Sequence, residues 1–221
     1  EGLKNKLLLD LVVIRIVEPS SKLRSQRLLF ELFGIDYDVT SIYKNLKSIS
    51  SQKEPVESML VDFAKGKLHF DFSFVLYDVT TLYFESFKQD EEDGLRKNGF
   101  SKDNKPEQPQ IIIGLLVNAD GFPLSFSIFP GNTFEGHTII PVLSALQEKH
   151  QITTLTVVAD SAMISQKNIE ALTHAKLSFI VGARLGYLNV ATVAEISHKL
   201  NHTDGATMRM PWNNGFLICE K

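Results

Sequence analysis

The stretch Phe72-Ser-Phe-Val-Leu-Tyr-Asp78 constrains this chain more than any other. Phe, Val and Tyr at this density suit a pleated surface packed on both faces, so the run predicts a buried strand ending on the carboxylate of Asp78. A carboxylate in that setting is costly unless it is paired, hydrogen-bonded or bound to a cation. A second β-branched run, Thr154-Leu-Thr-Val-Val-Ala159, ends on Asp160.

The segments around these runs set the fold class. Residues 1–17 predict an apolar helix stopped by Glu18-Pro19, because the residue before proline is pushed out of the α region. Ser20 or Ser21 caps a second helix, Lys22 to Phe33, closed by Gly34. Thr40 caps a third over 41–50, and Pro55 opens a fourth over 55–64. Strands begin near Lys67. Lys88 to Lys105 lacks apolar periodicity and predicts a mobile charged loop. Gln110 to Asn118 predicts a buried strand, Asp120-Gly121 a hairpin turn, and Leu124 to Phe129 the returning strand. A turn over Pro130–Thr133 leads to a helix over 138–149, the Asp160 strand, a helix over 166–175 and a strand over 178–181. A helix over 190–200 and β segments at 206–210 and 216–219 complete the chain. This order predicts an α/β fold, a mixed sheet flanked by helices and preceded by a small all-α domain. The expected boundaries are 1–66 for the helical domain and 67–221 for the sheet domain.

Composition narrows the setting. A net charge of −3 gives no global basic field, so any nucleic-acid contact rests on local patches. Cys219 is the single cysteine, which excludes an internal disulfide framework and fits a reducing cytosol. Leu7 to Val17 is too short and too interrupted to span a bilayer, and no signal-peptide layout precedes it. A cytoplasmic protein with no membrane partner is expected. The chain starts without Met and stops inside a predicted strand, which points to a fragment.

Two carboxylates at the ends of neighbouring strands suit hard cations, since Mg²⁺ takes oxygen ligands and few of them from protein. Paired divalent ions activate an attacking oxygen and stabilise a leaving one in phosphoryl transfer. The alternation of elements allows Asp78 and Asp160 to be neighbours. Each aspartate alone is equally well a turn cap.

The residues resemble a known family. Tyr77-Asp-Val-Thr-Thr-Leu-Tyr-Phe-Glu85, Gly99-Phe-Ser-Lys-Asp103, Pro109-Gln-Ile-Ile-Ile-Gly-Leu-Leu116, Gly121-Phe-Pro-Leu124, Phe129-Pro-Gly-Asn-Thr133 and Val158-Ala-Asp-Ser161 are similar, in order, to DDE transposases of bacterial insertion sequences. Glu18-Pro-Ser-Ser-Lys22 is similar to their preceding helical domain. The resemblance implies a ribonuclease-H-like core and an Asp-Asp-Glu triad binding Mg²⁺ or Mn²⁺. It also implies strand cleavage at transposon ends, followed by attack of the freed 3′-hydroxyl on target DNA within a homodimeric DNA complex. Asp78 and Asp160 match the first and second acids. In this subgroup a β-rich insertion precedes the catalytic Glu, so that acid is expected beyond residue 221 and the fragment is expected to be inactive alone. Glu195 and Glu220 are the internal substitutes by position.

Other residues carry weaker signals. The helix pair 22–33 and 41–50 has a helix-turn-helix outline with Lys22, Arg24, Arg27, Lys44 and Lys47, and Lys102 and Lys105 lie in the charged loop. A solvated face accounts for these charges as well as DNA binding does. Thr80, Thr81 and Tyr83 either shape the site or pack a strand face, and Asn132 and Thr133 read as turn caps. His198 and His202 are an i,i+4 pair without zinc spacing, and Trp212 reads as a hairpin aromatic. An aspartyl-phosphate phosphatase is a poor fit, because its second aspartate would fall at Thr80. A non-catalytic DNA-binding remnant of a transposase is the remaining alternative.

Overall fold

A computed structural model describes residues 5–70, 72–101, 104–152, 154–161, 165–182, 186, 188–201, 203–212 and 215–220. The chain forms two compact units, Glu1–Asp71 with Leu116–Ser125, and Phe72–Leu115 with Phe126–Lys221.

In the first unit, α1 (Lys6–Val17) starts at Asn5, whose side chain accepts from Leu8 N. It ends at Glu18, before the proline. Helix α2 (Lys22–Phe33) is capped by Ser21 and closes on Gly34 in the left-handed region (φ 65°), where glycine carries no Cβ penalty. Ile35 N donates to Leu29 O and completes that stop. Helix α3 (Val39–Ser50) begins earlier than the sequence suggests. Asp38 caps it by accepting from Ser41 N, and Thr40 sits inside the first turn. Both are capping types, but the Asp38 carboxylate also complements the positive end of the helix dipole. Helix α4 (Lys53–Lys67) holds Pro55 in its first turn, where a missing N–H costs nothing.

Ile14, Leu28 and Leu29 form a buried core there, with Leu11, Ile35 and Tyr37 against it. The Tyr37 hydroxyl donates to Asp10 at 2.6 Å, and Lys6 pairs with the same carboxylate. Partial burial opposes the Asp10 charge, but these two hydrogen bonds outweigh it and hold the carboxyl below its usual range. Glu57 of α4, almost fully buried, accepts from Ser125 and pairs with Lys53 at 2.9 Å. Phe63 stacks on Phe122.

Five strands form the main sheet in the order β3-β2-β1-β4-β5. They are β1 (Phe74–Tyr83), β2 (Gln110–Asn118), β3 (Pro123–Pro130), β4 (Thr156–Ala159) and β5 (Ser178–Val181). β1, β4 and β5 run parallel. The β2–β3 turn is tied by Asn118, whose side chain accepts from Asp120 N and Phe122 N, with Gly121 at φ 82°. Helices α5 (Ile139–His150), α6 (Gln166–His174) and α7 (Val190–Lys199) complete a mixed sheet flanked by helices. Val75, Val157, Ile139, Leu143 and Leu172 are buried in this unit. A separate antiparallel ribbon, β6 (Thr207–Trp212) and β7 (Gly215–Glu220), closes the chain, with Trp212 opposite Gly215.

The described part of the charged segment, residues 88–101, makes several hydrogen bonds within itself and to β2. Its own charges supply the ties. The Asp90 carboxylate accepts from Arg96 N and Nε, Lys97 Nζ reaches the carbonyls of Asp90 and Glu91, and Lys97 bridges Gln110 of β2.

Leu143 has no exposed surface, so Leu143→Ala removes buried methyl groups and leaves a cavity. Urea unfolding of that variant is expected to show a loss of about 2–5 kcal/mol with an unchanged m-value.

Candidate active site

The site begins with the parallel register of β1 and β4. Phe74 to Tyr77 lie opposite Thr156 to Ala159, ending on the pair Tyr77↔Ala159. Asp78 and Asp160 are the next residues after this pair, so each aspartate directly follows one end of the last registered contact between the two strands.

The setting of Asp78 differs from the expected one. β1 does not end on it but continues to Tyr83, and Phe84 N donates to Pro109 O just beyond. The last fully buried position is Tyr77, and Asp78 is exposed. Pairing with β2 extends the strand past its apolar part, so the strand outlasts its burial. Asp160 is exposed as well, with Oδ1 accepting from Ser161 N.

Two solvent-facing carboxylates on adjacent strands have the donor chemistry of a Mg²⁺ or Mn²⁺ site, in which waters and substrate phosphates fill the other positions. Among the described residues, no three His, Cys, Asp or Glu side chains come together as a metal-holding group. Glu195 lies exposed on α7 and pairs with Lys199 at 2.6 Å, while Glu220 ends β7.

Behind Asp78 stands a contact that sequence reasoning missed. The buried Tyr77 hydroxyl donates to Thr138 Oγ1 at 2.7 Å, and Thr138 donates in turn to Glu135 O at 2.6 Å. Burial pushes the Tyr77 hydroxyl up to about 12, and the charges of Asp78 and Glu135 act in the same direction. Room for this ring comes from β2: a Cβ on Gly114 would lie 2.2 Å from the Tyr77 hydroxyl oxygen. A glycine in mid-strand was the available signal, since it marks close approach by another group.

The basic candidates fall in separate places. Lys22, Arg24 and Arg27 are on α2 and Lys44 and Lys47 on α3. Arg24 is engaged by Glu18 and Glu31; Arg27, Lys44 and Lys47 are exposed. Lys105 packs its amine over the Tyr83 ring, 5.4 Å from the centroid, and its N–H donates to Ser101 Oγ. Lys102 and His202 lie outside the described residues. Thr80 is exposed, two positions beyond Asp78 on the same strand face.

Residues 69–214 match the family described as "Transposase DDE domain". Comparison with curated protein sequences gave no match. Solved structures with a similar backbone include a Mos1 transposase paired-end complex with left transposon end, at 13% identity, TM-score 0.33, over 81% of this chain and 60% of that one. A Mos1 mariner paired-end complex with Mn is 14% identical, with TM-score 0.33, over 90% of this chain and 66% of that one. A piggyBac transposase synaptic complex with hairpin DNA is 10% identical, with TM-score 0.47, over 93% and 46%. The chain thus spans between about half and two thirds of these proteins' length.

The Tyr77 environment gives a pH signature. Its hydroxyl titrates higher in the folded state than the ordinary value of 10, so the stabilisation is complete below pH 10 and is lost as pH rises towards about 12. Between those limits the wild type should lose on the order of 2–3 kcal/mol more than Tyr77→Phe in urea unfolding. Equal losses in both proteins would contradict this.

Proposed function

The chain belongs to the transposase DDE domain family, and from that membership we propose that it contributes the first two acids of a DNA transposase active site. The observation that carries the reading is the register that puts Asp78 and Asp160 one residue past Tyr77↔Ala159. Asp78 and Asp160 would hold Mg²⁺ or Mn²⁺ between β1 and β4. A divalent ion there supplies Lewis acidity to a phosphate oxygen and lowers the pKa of an attacking water or 3′-hydroxyl.

The chain's own residues do the rest. The two carboxylates fix where a DNA phosphate can approach, because exposed acids repel a phosphate that comes without a cation. Lys105, held over Tyr83 in the 72–115 part of the sheet unit, offers one positive contact to the phosphate backbone. No side-chain nucleophile is needed, since water or the 3′-hydroxyl attacks directly. The reaction proposed is strand cleavage at the ends of a bacterial insertion sequence followed by strand transfer, by a cytoplasmic homodimer on DNA. Residues 1–66 would form the DNA-binding domain through α2 and α3, and 67–221 the catalytic domain.

A second reading has one observation in its favour. Among the described residues no three His, Cys, Asp or Glu side chains come together as a metal-holding group, and Glu195 pairs with Lys199. On that reading the chain is a non-catalytic DNA-binding remnant.

Strand nicking of DNA carrying the element's ends separates the two. The triad reading expects no metal-dependent nicking by residues 1–221 alone, and nicking by a chain extended through a third acid. In that extended chain Asp78→Ala or Asp160→Ala should bring nicking down to the metal-free background. Undiminished cleavage by either variant would refute the assignment, and an inactive extended chain that still binds the ends would favour the remnant.

The α2–α3 surface is tested by Lys44→Glu combined with Lys47→Glu. Duplex affinity is expected to fall about tenfold, with a salt slope smaller by about two phosphate contacts. Unchanged affinity and slope would leave these lysines as a solvated face.

A further inference from the structure

Eight residues between β3 and α5, Gly131 to Thr138, have irregular or 3-10 backbone, yet buried polar groups converge on them from three elements of the sheet unit. Irregular backbone inside a fold must find hydrogen-bond partners, and here side chains supply them. Tyr77 of β1 donates to Thr138 Oγ1. Gln110, at the start of β2, donates through Nε2 to Gly131 O at 2.7 Å. Asn168 of α6 donates through Nδ2 to Gly136 O at 2.6 Å. Gly131 N donates to Leu95 O, which joins the charged segment to the same point. The four side chains involved are almost fully enclosed: Thr138 0%, Gln110 1%, Tyr77 2% and Asn168 5% exposed. The path is tight, since a Cβ on Gly131 would lie 2.1 Å from Gln110 O.

One of these ties sits beside an aspartate. Tyr77 immediately precedes Asp78. Asn168 is on α6, the helix that follows Asp160 and leads to β5. One segment therefore ties the β1 end that carries Asp78 to the helix between β4 and β5. We propose that Gly131–Thr138 is a positioning clamp for Asp78, the β1 member of the acidic pair, and that Tyr77 is its positioning residue, acting through the backbone of Asp78. The inference rests on the reading that these two acids share a divalent ion. Such sharing demands carboxylates held to within roughly 0.5 Å, because the ion tolerates little error in its donors. A packed phenylalanine at 77 would fill the same space but would leave the strand free of Thr138. The tyrosine hydroxyl, bonded to Thr138, ties the strand to the clamp.

The competing account is that Tyr77 serves stability alone. Metal affinity, measured well below the unfolding transition, distinguishes the two. Mn²⁺ alone is titrated into the 221-residue chain and free Mn²⁺ is read by electron paramagnetic resonance, with folding of each variant checked by circular dichroism. Asp78→Ala is expected to abolish the site. Tyr77→Phe and Thr138→Val are expected to weaken it about tenfold, the scale of losses when a group supporting a ligand is removed. Leu143→Ala, which destabilises the core without touching the clamp, is expected to leave affinity within about twofold. If Tyr77→Phe fails to fold, Thr138→Val carries the comparison, since it keeps the shape and removes the acceptor. Wild-type affinity in both clamp variants, with binding lost in Asp78→Ala, would overturn the clamp and leave the metal reading standing. Equal weakening in Leu143→Ala would overturn it in favour of a purely structural role. Wild-type binding by Asp78→Ala would overturn both.

Discussion

Two like charges brought side by side are the constraint on which the rest of the sheet unit depends. Neighbouring parallel strands are only about 4.8 Å apart, and at such spacings two carboxylates repel by about 1 kcal/mol in water and several-fold more near a protein surface. The fold accepts this repulsion between Asp78 and Asp160 and gives neither a basic partner among the described residues. Exposure keeps it affordable, because water screens both groups. A divalent cation would turn the same arrangement from a liability into a binding site. This is why the alternation of burial along β1 matters: the apolar face ends at Tyr77, and the charge begins one residue later.

Everything around the pair works to hold it still. β1 lies at the centre of the sheet order, between β2 and β4, so its position is fixed from both edges. Tyr77 fixes it along a third direction through Thr138, and Gly114 exists where that ring needs to pass. The charged segment after β1 is tied by Asp90–Arg96 and by the Lys97–Gln110 bridge, which brings Lys105 and Tyr83 together on one side of the strand's end. Buried ties such as Tyr77–Thr138 favour one geometry over its neighbours, at the risk of a large penalty if either partner is lost.

Much of the fold was legible because its punctuation is sharp. Lys22–Phe33, Gln110–Asn118 and Ser178–Val181 start and stop where caps, glycines and turn residues say they should. Local signals failed where two of them compete or where pairing is remote. Asp38 and Thr40 are both good caps, and the carboxylate won. β1 outlasts its apolar run because β2 supplies ladder bonds that no local pattern reveals. The site was half legible. Each aspartate could be read as the end of a buried run, and their adjacency followed once the alternation was laid out. Tyr77 looked like one more strand aromatic, since nothing local distinguishes a tyrosine with a buried partner at Thr138 from one that faces solvent. A third acid cannot be read from spacing at all, because Glu195 and Glu220 are acidic residues on ordinary surface positions.

The account turns on whether Asp78 and Asp160 share a divalent ion. The most direct measurement is an anomalous difference map from a crystal of the chain soaked in Mn²⁺. It should show a peak between the two carboxylates at the ends of the paired parts of β1 and β4, with Mn–O distances of about 2.1–2.2 Å, close to those of Mg²⁺. A full map with carboxylates well ordered and no peak between them, or with Mn²⁺ bound elsewhere, would contradict it.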